Sequence, residues 1–256
     1  MSGTNNSIGK LVREWRKGRR YSQLSLALEM GISAKHISFV ETNRANPSKE
    51  LIIQLGEFFH LPKNEINRGL CLAGFKPFYT ELRLNDGALK PVLDAIDLMM
   101  RNHMPYPALV LNKYWDIIKT NDSANSLLIK MGYQGYDNLI EAIIADNPQT
   151  SHISNWQESI YGLVFRLRNE IALLGGSSRL EKLEARLADH IGKLDDTIIS
   201  GETPVIPSTQ IRIDDASLSF FSVISQLSTI QDVTISEYRV ELMFPTDDAT
   251  RLFYQH

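Results

Sequence analysis

Residues 23–44 read Gln23-Leu-Ser-Leu-Ala27-Leu-Glu-Met30-Gly31-Ile-Ser33-Ala-Lys35-His36-Ile37-Ser-Phe39-Val40-Glu41-Thr-Asn43-Arg44, and their spacing decides the fold of the first third of the chain. They form two short helical patterns joined at a glycine. Counted from Gln23, the fifth place holds a small residue, Ala27, where two helices touch. The ninth holds Gly31, where a tight turn needs a left-handed backbone that glycine adopts at no steric cost. The fourth, eighth, tenth, fifteenth and eighteenth places hold Leu26, Met30, Ile32, Ile37 and Val40, which lock the pair onto a core.

The surrounding residues extend this into a bundle. Ile8, Leu11, Val12 and Trp15 recur at helical spacing before the basic run Arg16-Lys17-Gly18-Arg19-Arg20. Ser22 and Ser33 are N-caps for the two motif helices. Pro47-Ser48 opens a fourth helix over 49–60, with Leu51, Ile52, Leu55 and Phe58 facing inward, and Pro62 starts a fifth running towards Gly74. The expected organisation is a five-helix domain over residues 1–75, a linker over 76–90 containing Pro77, Asn85, Asp86 and Gly87, and a second domain over 91–256.

Charge divides the chain along the same lines. Residues 1–83 carry 13 Lys and Arg against 7 Asp and Glu, whereas residues 84–256 carry 14 against 23, so the net charge of -3 hides a basic segment on an acidic remainder. Such asymmetry speaks to partners, and a polyanion is expected to meet only the first segment. Hydrophobic residues at 43% and charged ones at 22% fit a globular protein. Cys71, the one cysteine, cannot close an internal disulfide and is expected as a small buried hydrophobe in a reducing cytoplasm. No secretory leader pattern opens the sequence and no apolar run approaches the length of a membrane span, so a cytoplasmic protein without membrane contact is expected.

Residues 8–61, with the Ser22-Gln23 opening, Ser33, and the string Glu41, Arg44, Pro47, Ser48, resemble the Cro/repressor-type (XRE-like) helix-turn-helix domain. The resemblance implies an all-α DNA-binding module whose third helix enters the major groove of operator DNA. Ile37 and Val40 face the core, so the outward set is Ser33, Ala34, Lys35, His36, Ser38 and Phe39. Lys35 is placed to donate to guanine O6 and N7, His36 either to donate likewise or to stand solvated, and Phe39 to cover a thymine methyl or else pack on the fourth helix. Ser22 and Gln23, at the positive end of the second helix, suit a backbone phosphate, with Asn43 and Arg44 gripping phosphate beyond the third. Ser33 holds a phosphate or only caps its helix.

Beyond the linker the pattern changes to a helix over 91–103, a hairpin of 107–111 and 115–119, an Asn121-capped helix to 128, two long helices over 155–174 and 179–194, and strands over 205–213, 218–227 and 234–244. The sum is an α+β chain with a five-stranded, mostly antiparallel sheet and helices inserted between its second and third strands. Pro105-Tyr-Pro-Ala-Leu-Val-Leu111, Trp115-Asp116, Asn121, Leu218-Ser-Phe-Phe-Ser222, Glu237-Tyr-Arg-Val-Glu241 and Phe244-Pro245 resemble the MmyB-like ligand-binding domain of bacterial regulators, and Ala73-Gly-Phe75, Pro77, Tyr79 and Glu81 match its link segment. That resemblance implies a PAS-like domain enclosing an apolar cavity for a small ligand such as a fatty-acyl chain. Tyr106, Trp115, Tyr161, Phe165, Phe220 and Phe221 make up the expected aromatic interior and the candidate ligand contacts.

No catalytic constellation and no metal site is expected. His103, His152, His190 and His256 are isolated, Gly175-Gly176 lacks the lysine and strand of a phosphate loop, and Asp214-Asp215 and Asp247-Asp248 read as turn and helix cap. No cofactor is required. A homodimer is expected, because paired modules about 34 Å apart read two half-sites. The stripe Leu180, Leu183, Leu187, Ile191 and Leu194 serves either subunit pairing or the domain's own core. The resulting expectation is a transcriptional regulator whose C-terminal domain senses an apolar ligand. The alternative is a repressor or antitoxin whose C-terminal domain is a protein-interaction and dimerisation module.

Overall fold

The computed structural model describes residues 7–82, 86–174, 176–191, 207–227 and 230–255. Asn85, Gly175, Leu194, Val205 and His256, invoked above, lie outside the described residues, as do residues 1–6 of the polar N-terminus. Among the described residues no helix is long and apolar enough to cross a membrane. The chain forms two compact units, one comprising residues 1–82 with 170–177 and 229–236, the other the remainder.

The helical unit contains α1 (Ile8–Gly18), α2 (Gln23–Met30), α3 (Ala34–Glu41), α4 (Lys49–Phe58) and α5 (Lys63–Leu72). Serine side chains start the first four: Ser7, Ser22, Ser33 and Ser48 each accept a hydrogen bond from the backbone N–H three residues on, satisfying donors a helix start leaves open. Ser22 and Ser25 cap reciprocally. Gly31 ends α2 at φ 65°, which lets Ile32 donate back to the Ala27 carbonyl at 3.0 Å and turns the chain sharply into α3. Leu11, Val12, Trp15, Leu26, Ala27, Ile37, Val40, Ile52, Leu55 and Leu70 make the core, and each fully buried large aliphatic among them contributes about 1.5–3 kcal/mol. A Cβ on Gly9 would collide with the Val40 carbonyl, so glycine is what allows α1 to lie directly on the end of α3. Cys71 departs from expectation: it sits on the exposed side of α5, while Gly69 and Leu70 face inward.

In the second unit a five-stranded sheet has the order β2-β1-β5-β4-β3, with β1 (Ala108–Leu111), β2 (Ile117–Thr120), β3 (Thr209–Ile213), β4 (Ala216–Gln226) and β5 (Arg239–Pro245), every named pair antiparallel. This is the PAS-like architecture, with the N- and C-terminal strands β1 and β5 side by side in the middle. Helices α6 (Lys90–Asn102), α7 (Asp122–Lys130), α8 (Leu139–Ala145), α9 (Trp156–Leu173) and α10 (Ser178–Ile191) precede β3. Helix α12 (Asp248–Phe253), capped by Asp247, follows β5. The strand expected over 234–244 begins late: Val233–Ser236 is a helical turn, α11, and only Arg239–Pro245 is strand. Asn121 is buried and ties three elements, accepting from Ala108 and Ala124 backbone N–H at 3.0 and 2.9 Å while donating to the Tyr106 carbonyl at 2.8 Å. Three members of the leucine stripe are core: Leu180, Leu183 and Leu187 are buried on α10, which packs on α8. Ile191 is half-buried and Leu194 lies outside the described residues, so the described part of the stripe mainly serves the domain's own core.

Candidate DNA interface and ligand domain

Helix α3 is held by a buried charge. The Glu41 carboxylate accepts two bonds from the Arg16 guanidinium, at 2.5 Å from Nε and 2.9 Å from Nη2, and a third from Gln23 Nε2 at 2.8 Å. Arg13 lies 3.4 Å from the same carboxylate. Burial alone would raise the Glu41 carboxyl, but the hydrogen bonds from Arg16 and Gln23 and the charges of Arg16 and Arg13 outweigh it and hold the group below its ordinary value. The hydrogen bonds that Arg16 donates to Glu41, with the charge of that carboxylate, in turn raise the guanidinium above its ordinary value against the opposing effect of burial. One network thereby fixes α1, the start of α2 and the end of α3 relative to one another, which is the pre-organisation a groove-reading helix requires.

On the opposite side α3 presents polar groups. Lys35 and His36 are exposed, Ala34, Ser38 and Phe39 are half-buried, and Ile37, Val40 and Glu41 face inward. The Lys35 ammonium lies 5.5 Å from the Phe39 ring centre, one turn on. Ser33 is exposed, and its hydroxyl accepts from the His36 N–H at 3.1 Å, so it caps the helix. Ser22, also exposed, caps α2. Asn43, at φ 56°, ends α3 and is already engaged: its Oδ1 accepts from Gly9 N–H at 3.2 Å and its Nδ2 donates to Ser7 Oγ at 3.1 Å. Arg44 is exposed, and its backbone N–H closes the turn on the Phe39 carbonyl at 2.8 Å. The basic run 16–20 is more structural than its charge suggests. Arg16 belongs to the buried network, and Arg19 donates to the Phe59 and Leu173 carbonyls and stacks on the Phe59 ring.

In the sequence Glu41 stands out only as part of the family string. Its signal as a hub was an acid on the inward face of α3 together with Arg16 on the inward stripe of α1.

In the sheet unit the turn between β1 and β2 gathers aromatic and cationic groups. Asn112 Oδ1 accepts from Tyr114 and Asp116 N–H at 2.8 and 3.0 Å. Trp115 sits at φ 68°, a left-handed conformation rare for so bulky a side chain, and is 1% exposed. The Arg166 and Arg239 guanidinium carbons lie 4.3 and 4.1 Å from its ring centre, and Arg166 is also 3.4 Å from Glu241. Burial pushes the Asp116 carboxyl up, but hydrogen bonds from Asn138, Asn112 and Arg179 prevail and lower it.

The expected aromatic set divides. Phe220 is buried, and both it and Tyr106 meet Tyr254 edge-on, at 5.9 and 5.7 Å. Phe221 stacks on Phe244 at 5.6 Å. Tyr161 is half-buried, whereas Phe165 is 59% exposed and not part of the interior, because Val164 and Leu167 take the inward face of α9. Arg166, Arg239 and Tyr254 were missed. The last two stand in or just beyond the family strings at the C-terminus, but only the three-dimensional turn brings Arg239 to Trp115. Among the described residues no group of three or more His, Cys, Asp or Glu is placed to hold a metal ion.

A five-helix module with a polar, exposed third helix, followed by a PAS-like sheet domain, defines a DNA-binding transcription regulator with a ligand-sensing domain. Residues 12–66 match the helix-turn-helix family model, of the XRE type, and residues 92–255, more than half of the chain, match the MmyB-like transcription regulator ligand binding domain. The chain belongs to the MmyB-like transcription regulators. A search of curated proteins finds no match. Both matched families are regulatory, not enzymatic.

Proposed function

We propose that this chain is a cytoplasmic, homodimeric regulator that reads an operator with α3 and is switched by an apolar, fatty-acyl-like ligand in the domain spanning residues 91–256, with residues 1–75 as the DNA-binding domain and 76–90 as the linker. The observation that carries the DNA reading is the two-sidedness of α3: Ile37, Val40 and Glu41 are locked into the unit while Lys35 and His36 stand in solvent within the basic third of the chain. Lys35 reads guanine and His36 an adjacent base, with Phe39 covering a thymine methyl and Ala34 and Ser38 beside it in the groove. Ser22, Gln23, Ser33, Asn43 and Arg44 lie along the phosphate backbone. Gln23 does so with its remaining N–H, since one already goes to Glu41.

The ligand reading is supported by the family match and by the aromatic set Tyr106, Trp115, Phe220 and Phe221, with Tyr161 on α9. Phe165 is dropped from the contact set because it points to solvent. Selection of bound DNA from a random pool by the full-length protein tests the DNA reading. A palindromic consensus with half-sites about one helical turn apart is expected, and recovery of unenriched pool sequences refutes it. Mass spectrometry of lipid carried through purification, with operator affinity measured with and without palmitate, tests the ligand reading. An affinity unchanged by palmitate and by every lipid recovered refutes it.

A further inference from the structure

The helical unit contains a segment from far along the chain. Residues 230–236 lie in sequence between β4 and β5, yet Val233 is 4% exposed within the same apolar cluster as Trp15, Leu55, Leu70 and Tyr79. Asp232 is 3% exposed and accepts two backbone bonds, from Leu82 N–H at 2.8 Å and from Ile235 N–H at 3.1 Å. The first fastens the link after α5; the second starts α11. Val233 N–H donates to the Thr80 carbonyl at 2.8 Å, and Thr80 and Asp232 form a parallel bridge. The link is itself stitched to α5 by Asn67, whose Oδ1 accepts from Phe78 and Tyr79 N–H and whose Nδ2 donates to the Tyr79 carbonyl at 2.8 Å. Thus α5, residues 77–82 and residues 232–235 are one hydrogen-bonded and apolar block.

We infer that residues 230–236 are a strap that completes the DNA-binding unit and sets its affinity for DNA, with its covalent ends in β4 and β5 as the route by which the state of the sheet reaches the helices. This rests on the regulatory reading above and names the device through which it works. Two neighbouring strands of the sheet, β4 and β5, paired up to Gln226 and Arg239, are joined through this segment. A change in how those ends sit must be absorbed in the strap. The strap's carboxylate and its valine are both buried in the helical unit, so its position is coupled to the packing of α5 and, through Trp15 against Gly69, of α1.

The test uses full-length protein and its pool-selected DNA. Asp232→Asn keeps size and removes the charged acceptor, and Val233→Ala removes apolar contact; both are milder than a charge at 233, which risks unfolding the unit. Asp232→Asn is expected to speed amide exchange at Leu82 and Ile235 about tenfold while leaving β1 amides unchanged. Each variant is expected to weaken DNA binding about threefold or more. Unchanged exchange at Leu82, or DNA affinity equal to or tighter than wild type in both variants, overturns the strap. A parallel titration with palmitate separates the two readings: an effect on wild type that survives intact in both variants contradicts transmission through the strap, whereas no effect on wild type counts against the fatty-acyl ligand and leaves the strap to be judged by exchange and DNA affinity.

Discussion

Replacing Glu41 by Gln keeps the shape of the side chain and one acceptor oxygen but leaves Arg16 without its counter-charge. Arg16 and Glu41 side chains are 8% and 0% exposed, and the pair is bidentate at 2.5 and 2.9 Å, so solvent does little to screen the loss. Breaking a buried pair from one side costs about 3–5 kcal/mol, and the retained amide oxygen places this change near the lower end. About 3 kcal/mol corresponds to roughly a hundredfold in the opening equilibrium of the helical unit. Amide exchange in α1 and α3 of the full chain reads that opening without interference from the sheet unit. Operator affinity should fall with it, because α3 loses the anchor of its last turn. Replacing both partners together, Arg16→Met with Glu41→Leu, should recover most of the stability while leaving DNA affinity below wild type, since the tie to Gln23 is gone. A loss under about 1 kcal/mol for Glu41→Gln, the size expected of a surface pair, would refute the claim that this network holds the reading helix.

Acid should act on the same group. Because the folded-state Glu41 carboxyl lies below its ordinary value, its stabilising contribution is present above the unfolded value of about 4.3 and is lost as pH falls through the lowered folded value. Exchange in α3 should accelerate over that window in wild type and much less in Glu41→Gln. Gly31→Ala places a Cβ at φ 65° and should cost about 1–2 kcal/mol in the helical unit, measured by denaturant titration of the α2–α3 exchange protection. Phe220→Ala, at a side chain 1% exposed and packed on Tyr254, should cost the sheet unit about 3–5 kcal/mol in the same experiment, with a smaller loss of protection in α1–α5.

The helix-turn-helix was legible because its constraints are local. A glycine that must be left-handed, a small residue at a helix contact and apolar residues at fixed places all declare themselves within residues 23–44. The five strands of the PAS-like sheet and their antiparallel character followed from alternation and turns, but their order across the sheet and the start of β5 did not. Thr234 and Ile235 are β-branched and read as strand, whereas Asp232 caps a helical turn there because its carboxylate also serves Leu82, a partner 150 residues earlier. The same limit applies to Cys71 and Phe165, whose apolar neighbours suggested burial. Helix phase settles them, and Gly69–Leu70 and Val164–Leu167 occupy the inward stripes. The buried roles of Arg16 and Arg19, and the stacking of Arg166 and Arg239 on Trp115, depend on long-range approach that charge counts do not carry.

Quantitative binding of wild type, Lys35→Ala and Arg44→Ala to a panel of single-base variants of the selected operator, repeated across salt concentrations, distinguishes base reading by Lys35 of α3 from backbone holding by Arg44. Lys35→Ala should lose discrimination at one base pair, about 1–3 kcal/mol, with specificity elsewhere kept. Arg44→Ala should weaken every sequence alike and reduce the salt slope by about one. Identical base preferences and identical salt slopes in all three proteins would mean that α3 does not read the groove through Lys35.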